Sequence, residues 1–182
     1  MKKLLQIGVV GSAGASEYPK GAGIKIKSLE MAEEVGSYLA KRNTIVITGG
    51  KGGVMEAAAR GAKQNGGITI GVISGNKRFR SNRYTDIEVL SGAKAVGLDE
   101  CLLAWMCDGL IVIGGGAGTL QEITIAYRNK IPVVALKSEE GWGKKLAGKY
   151  IDKRNTQLVW IARTPKQAVE KILDLIHHRS AL

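Results

Sequence analysis

Residues Gly114-Gly115-Gly116-Ala117-Gly118-Thr119-Leu120-Gln121-Glu122 follow directly on an apolar run, Leu110-Ile111-Val112-Ile113. A strand that ends in glycines and then opens a helix makes an anion site. Backbone N–H groups converge there, the helix dipole adds partial positive charge, and missing side chains let a phosphate come close. A second copy of the pattern lies upstream: Thr44-Ile45-Val46-Ile47 runs into Thr48-Gly49-Gly50-Lys51-Gly52-Gly53-Val54-Met55-Glu56. Two such turns in one short chain predict a ligand whose phosphate is gripped from both sides. The candidate binding residues are Gly11 and Ser12 at the end of the first apolar run and Gly49, Gly50, Lys51, Gly52, Gly53, Val54 and Met55 in the upstream turn. Gly115, Gly116, Gly118, Thr119 and Glu122 complete the set in the downstream turn.

Glu122 is the candidate catalytic residue, because it falls in the first turn of the helix that follows Gly118-Thr119. Its spacing fits two roles. In a capping box, Thr119-Leu120-Gln121-Glu122, the carboxylate bonds back to the Thr119 N–H. Alternatively it meets a ribose hydroxyl, or stands beside a developing oxocarbenium ion at a glycosidic carbon. Lys51 either snorkels into solvent or closes over a phosphate.

Other chemistries are excluded by what is missing. The histidines, His177 and His178, are adjacent in the tail, which removes Ser-His-Asp, Cys-His and most zinc arrangements. Cys101 and Cys107 are six apart on an expected helix and form no CxxC pair, so they read as reduced thiols with no metal role. The first turn, Gly8-Val9-Val10-Gly11-Ser12-Ala13-Gly14, is not GxGxxG, and Thr48 and Gly49 stand where a dinucleotide enzyme needs an acid for the ribose diol. No GxxxxGK[ST] is present either, which excludes a P-loop NTPase.

The elements that position these residues follow from periodicity. Apolar runs predict strands near 4–10, 44–48, 68–73, 86–90, 109–113, 132–136 and 157–161. Several are continuous Ile/Val/Leu stretches, as expected when both faces of a sheet are covered. Helical patterns fit at 25–42, 53–65, 95–107, 118–129, 143–150 and 165–178. In the first, Ile26, Leu29, Ala32, Val35 and Leu39 keep one apolar face. Thr164-Pro165 opens the last with a hydroxyl cap before proline. Strand–helix alternation with short connections predicts an α/β fold: a Rossmann-like, doubly wound, mostly parallel sheet of about seven strands with helices on both faces. Residues 1–182 read as a single nucleotide- or phosphate-binding domain. The segment Cys101-Leu102-Leu103-Ala104-Trp105-Met106-Cys107 is apolar nearly all round, which predicts a homodimer built through this helix.

Composition bounds the partners. The formal charge is +11, and its densest basic cluster is Lys77, Arg78, Arg80 and Arg83, with Phe79 and Tyr84 interleaved. Aromatic residues make up 5% of the chain, too few for a base-stacking platform, so a loop that steers phosphate is favoured over a nucleic-acid surface. No apolar run has the length of a signal segment or a membrane span, and the expectation is a cytoplasmic protein.

Gly115-Gly116-Ala117-Gly118-Thr119-Leu120-Gln121-Glu122 resembles the PGGxGTxxE motif of the Lonely Guy proteins, often misnamed lysine decarboxylases, in a wider Rossmann-like superfamily. Thr48 to Glu56 resembles the first glycine motif of the same family. The resemblance covers nearly the whole chain and implies cleavage of nucleoside 5′-monophosphates to free base and ribose 5-phosphate, with no cofactor required. Glu140-Gly141-Trp142-Gly143-Lys144-Lys145-Leu146-Ala147-Gly148-Lys149-Tyr150, within 138–150, is closer to a branch that contains molybdenum cofactor carrier proteins. That resemblance implies a bound nucleotide or molybdopterin-type ligand. Two positions depart from the Lonely Guy pattern. Gly114 replaces the proline before the glycine pair. Asp99, followed by Glu100, stands where those enzymes carry an arginine nine residues before the aspartate that matches Asp108. Loss of such a donor costs about 10²–10³ in rate, unless Lys94 or Arg83 takes over the role. Binding of a phosphate-bearing nucleotide or pterin is therefore the primary expectation, phosphoribohydrolysis by Glu122 the second, and nucleic-acid binding the third.

Overall fold

In the computed structural model, residues 3–14, 24–92, 97–137 and 140–180 are described. One eight-stranded sheet runs through them, built from β1 (Gln6–Gly11), β2 (Ile45–Thr48), β3 (Ile68–Ile73), β4 (Ile87–Leu90), β5 (Gly109–Ile113), β6 (Val133–Leu136), β7 (Lys149–Tyr150) and β8 (Leu158–Ala162). The strand order is β4-β3-β2-β1-β5-β6-β8-β7. Every pairing is parallel except that of β7 with β8. The helices are α1 (Ile26–Lys41), α2 (Val54–Gln64), α3 (Leu98–Met106), α4 (Ala117–Arg128), α5 (Gly141–Leu146) and α6 (Pro165–Ser180). This is the expected Rossmann-like, doubly wound α/β fold.

Alternation within the strands feeds two cores. Ile7 and Val9 of β1, with Ile111 and Ile113 of β5, pack against α1, α2 and α6. Val10, Leu110 and Val112 point the other way, toward Leu103 of α3 and Ile123 of α4. Helices α1 and α2 bring their backbones into contact at two glycines: a Cβ on Gly36 would lie 1.9 Å from the Ala58 carbonyl oxygen, and one on Gly61 1.9 Å from that of Glu33. The hydroxyl cap of α6 is present, with Thr164 Oγ1 accepting from the Gln167 N–H at 3.2 Å.

Two expectations are corrected. The eighth strand, β7, occupies the end of the helix expected over 143–150. That helix stops at Leu146, and Gly148 turns with φ +73° into a two-residue strand on the sheet edge. Ile26 does not join the apolar face of α1 but is 75% exposed as the helix's first residue. The start of the helix expected over 95–107 lies outside the described residues, as do Lys94 and Ser138. No helix among the described residues is long and apolar enough to cross a membrane.

Candidate functional site

The strand order reverses about β1, which pairs with β2 on one side and β5 on the other. Crossovers therefore diverge at the carboxyl ends of β1 and β5, leaving a crevice of the kind in which open α/β sheets bind ligands. Both glycine turns open there. At the close of β1, Gly11 is in register with Ile113, and a Cβ on it would lie 2.1 Å from the Ile113 carbonyl oxygen. Only glycine permits that approach. Gly53 caps α2 with φ +73°, a conformation side chains rarely adopt.

Ser12 ties the turns together. Its N–H donates to the Ile113 carbonyl at 3.3 Å, its carbonyl accepts from the Val54 N–H at 3.0 Å, and its Oγ accepts from the Gly115 N–H at 3.0 Å. Thr119 Oγ1 adds a bond to the Gly11 carbonyl at 3.4 Å. The two helix N-termini are thus locked to one strand end. In α4 the Leu120 N–H donates to the Gly116 carbonyl at 3.0 Å. The N–H groups of Ala117, Gly118 and Thr119 consequently precede the first intrahelical acceptor, and all three residues line one cavity. In α2 the Met55 N–H is in the same position, and Met55 lines the cavity from the other side.

That cavity has a volume of about 420 Å³, within the range of small-molecule sites. Of the residues expected from sequence, Gly11, Gly49, Lys51 and Met55 line it from the β1 and β2 side, and Gly116, Gly118, Thr119 and Glu122 from α4. The others support its wall. Ser12 and Gly115 make the bond just described, Val54 is fully buried in the core, and Gly52 packs against Gly14. Gly50 packs beside Ile73 and Ser81, and Gly53 beside the Ser12 carbonyl. Sequence reasoning missed Ala13, Val72, Leu103 and Ala117 as cavity residues, and it reached Asp99 and Glu100 only through the resemblance, as the acids that stand in an arginine's place. A signal for the acids was present: Asp99, Glu100 and Leu103 are spaced to share one helix face.

Glu122 makes no capping box. The cap of α4 is Gly116, one helical turn earlier than that motif requires, and no side chain caps the helix. The Glu122 residue is only 7% exposed, and it lines the cavity. Burial, then the Glu100 and Asp99 charges, push its pKa well above the usual carboxylate range, while Lys51 pulls the other way. Burial and the neighbouring Asp99 also raise Glu100. Three acids on one cavity do not form a metal centre: no His/Cys/Asp/Glu group among the described residues could hold an ion. Arg83 does not line the cavity but lies over the Tyr84 ring. Cys107 is buried and Cys101 half-buried, both as free thiols.

The basic loop reaches the upstream turn through Asn82. Its N–H donates to the Gly50 carbonyl at 2.7 Å and its Nδ2 to the Lys51 carbonyl at 3.0 Å. Glu88 holds the loop's shape by accepting from the N–H groups of Phe79, Arg80 and Ser81, which lowers its pKa from 4.5 to about 2.

A doubly wound sheet with two helix N-termini converging on a cavity at its switch point defines a Rossmann-like protein with one candidate ligand site. More particularly, the chain belongs to the LDcluster4 family, SLOG cluster4, whose profile matches residues 4–169. It is similar to a cytokinin riboside 5′-monophosphate phosphoribohydrolase of Mycobacterium tuberculosis, with 31% identity over 67% of this chain and 66% of that protein. It is also similar to two solved structures. One is the molybdenum cofactor binding protein of Rippkaea orientalis, at TM-score 0.81 and 28% identity over 97% of this chain and 99% of that one. The other is the molybdenum cofactor carrier protein of Chlamydomonas reinhardtii, at TM-score 0.79 and 29% identity over 96% and 99%. The resemblances drawn from the glycine motifs and from 138–150 thus hold at the level of family and branch.

Proposed function

We propose that this protein binds a phosphate-bearing nucleotide or pterin cofactor, molybdopterin included, and holds it without chemical change. The observation that carries this reading is the presence of Asp99 and Glu100 in the cavity beside Glu122. Stabilising a cationic glycosidic carbon requires an ionised carboxylate, and burial, then the Glu100 and Asp99 charges, favour the protonated form of Glu122. A protonated carboxyl donates a hydrogen bond instead. The N–H-lined turns fit a terminal phosphate, and the volume admits the ring system of either ligand class. Each helix terminus offers an anion about 0.3–1 kcal/mol, up to ~2 when partly buried, whereas micromolar binding needs ~8 kcal/mol. Lys51 and contacts to the base or pterin supply the remainder. The similarity to molybdenum cofactor proteins supports a holding role. The similarity to a phosphoribohydrolase, together with the buried Glu122, supports hydrolysis of nucleoside 5′-monophosphates as the second reading.

The test is titration of AMP and inorganic phosphate into the protein and its Gly116→Asp variant, with free adenine assayed in the same samples. Aspartate is a favoured cap residue, so α4 keeps its start while a carboxylate enters the anion site. Affinity for both ligands is expected to fall by about a hundredfold or more, with no adenine released. Unchanged affinity would put the ligand elsewhere, and adenine release that depends on Glu122 would establish the second reading.

The same account includes self-association. Helix α3 buries Leu103 and Ala104 inward, yet Leu98 is 48% and Trp105 63% exposed. This outward apolar face is where a second copy packs in the proposed homodimer.

A further inference from the structure

A backbone anion site works only if its N–H groups point at the ligand, and a glycine-rich turn has no side chains to hold it in one orientation. The loop between β3 and β4 supplies a restraint from outside. Glu88 of β4 accepts from the N–H groups of Phe79, Arg80 and Ser81 and from the Ser81 hydroxyl, at 2.6 to 2.8 Å. Asn82 closes the loop's far end: its Oδ1 accepts from the Tyr84 N–H at 3.0 Å and its carbonyl from the Thr85 N–H at 3.1 Å. These bonds fix the loop's own shape. Two more leave the loop for the glycine turn, from the Asn82 N–H to the Gly50 carbonyl at 2.7 Å and from its Nδ2 to the Lys51 carbonyl at 3.0 Å.

The direction of those two bonds matters because a peptide unit is planar and trans, so its C=O and N–H point opposite ways. The Gly50 carbonyl shares a peptide unit with the Lys51 N–H, and the Lys51 carbonyl with the Gly52 N–H. Holding both carbonyls toward Asn82 turns both N–H groups away from the loop. Gly49 and Lys51 line the cavity whereas Ser81 and Asn82 do not, so the N–H groups turn to the ligand's side. The Gly52 N–H has no acceptor among the described residues. Gly50 permits this geometry: its φ is +65°, and a Cβ there would lie 2.3 Å from Ile73 Cδ1 and 3.2 Å from Ser81 Cβ.

We infer that Asn82 is a positioning residue: its paired bonds to the Gly50 and Lys51 carbonyls aim the Lys51 and Gly52 N–H groups at the ligand's phosphate. The inference rests on the reading that the glycine turns hold that phosphate. The loop thereby acts on the bound anion through backbone geometry, while its cations, Lys77, Arg78, Arg80 and Arg83, lie outside the cavity lining.

Calorimetry and amide-resolved NMR titration with inorganic phosphate and AMP test this in the wild type, in Asn82→Ser and in Asn82→Asp. Serine still accepts the Tyr84 N–H, as hydroxyls do in such turns, and keeps the backbone bond to Gly50, but it cannot reach the Lys51 carbonyl. Affinity for both ligands is expected to fall about tenfold in Asn82→Ser. At saturation the Lys51 and Gly52 amide signals are expected to lose most of the shift that the ligand induces in the wild type, while those of Gly118 and Thr119 keep theirs. A purely structural role would weaken both turns alike. Should the serine variant fail to fold, Asn82→Asp keeps the size and the Tyr84 bond while losing the donor. Its charge also repels phosphate, so only the amide shifts are read from it. Affinity within about twofold of the wild type in folded Asn82→Ser overturns the inference. So do Lys51 and Gly52 amides that ignore the ligand in the wild type while Gly118 and Thr119 respond, and so does an equal loss of response at both turns in the variant. A wild type in which no amide of either turn responds overturns the reading beneath it.

Discussion

At the scale of single residues, Glu122 couples the site to stability. Its carboxyl is pushed well above the usual range by burial and by Glu100 and Asp99, so the folded state retains a proton that the unfolded chain releases near its ordinary value of 4.5. The folded protein therefore loses relative stability as pH rises above about 4.5. Glu122→Gln removes this loss. The variant is expected to melt like the wild type under acid conditions and progressively higher than it as pH rises toward neutrality, with the fold unchanged by circular dichroism. Parallel melting profiles would mean that the folded protein ionises Glu122 as readily as the unfolded chain does. Glu122 was legible in the sequence because a glycine-rich strand end put it one turn into a helix. Its environment was legible only through the resemblance, which set Asp99 and Glu100 in an arginine's place, because they come from a helix whose position depends on tertiary packing. Their spacing with Leu103 gives a shared face, but nothing local says that this face meets α4.

Among the elements, the contact of α1 with α2 fixes how the upstream turn is presented, since Gly53 caps α2 directly behind it. Gly36→Ala would force a methyl group to 1.9 Å from the Ala58 carbonyl oxygen, so the helices must separate. Overpacking of this kind costs about 1–3 kcal/mol, and each kcal/mol lowers Tm by about 2–4 °C in a domain of this size. Thermal melting that shows no decrease would contradict so close an approach of the two helices. The buried strands were legible because continuous Ile, Val and Leu runs leave few alternatives. The edge was harder. A two-residue strand such as β7 has no periodicity, and the lysine-rich segment before it reads as a longer helix until Gly148 turns the chain. Ile26 shows the same limit in reverse: helical spacing puts it on the apolar stripe, but as the first residue of α1 it is left exposed.

For the whole molecule, the charge of +11 and the exposed face of α3 bear on assembly and on partners. Trp105→Glu introduces a charge at the centre of the proposed dimer face without touching the buried Leu103 and Ala104. Sedimentation analysis is expected to show dimer for the wild type and monomer for the variant, with similar melting of each protomer's secondary structure. A wild-type monomer, or a dimer unaffected by the charge, would move the interface elsewhere. The central claim is that the cavity holds a phosphate-bearing ligand rather than cleaving it. Mass spectrometry of small molecules released from the purified protein, with AMP incubated alongside and adenine assayed, tests this most directly. A nucleotide or pterin released in near-stoichiometric amount, with AMP left intact, is the predicted result. A protein that carries no such ligand and liberates adenine from AMP, with the activity lost in Glu122→Gln, would contradict it.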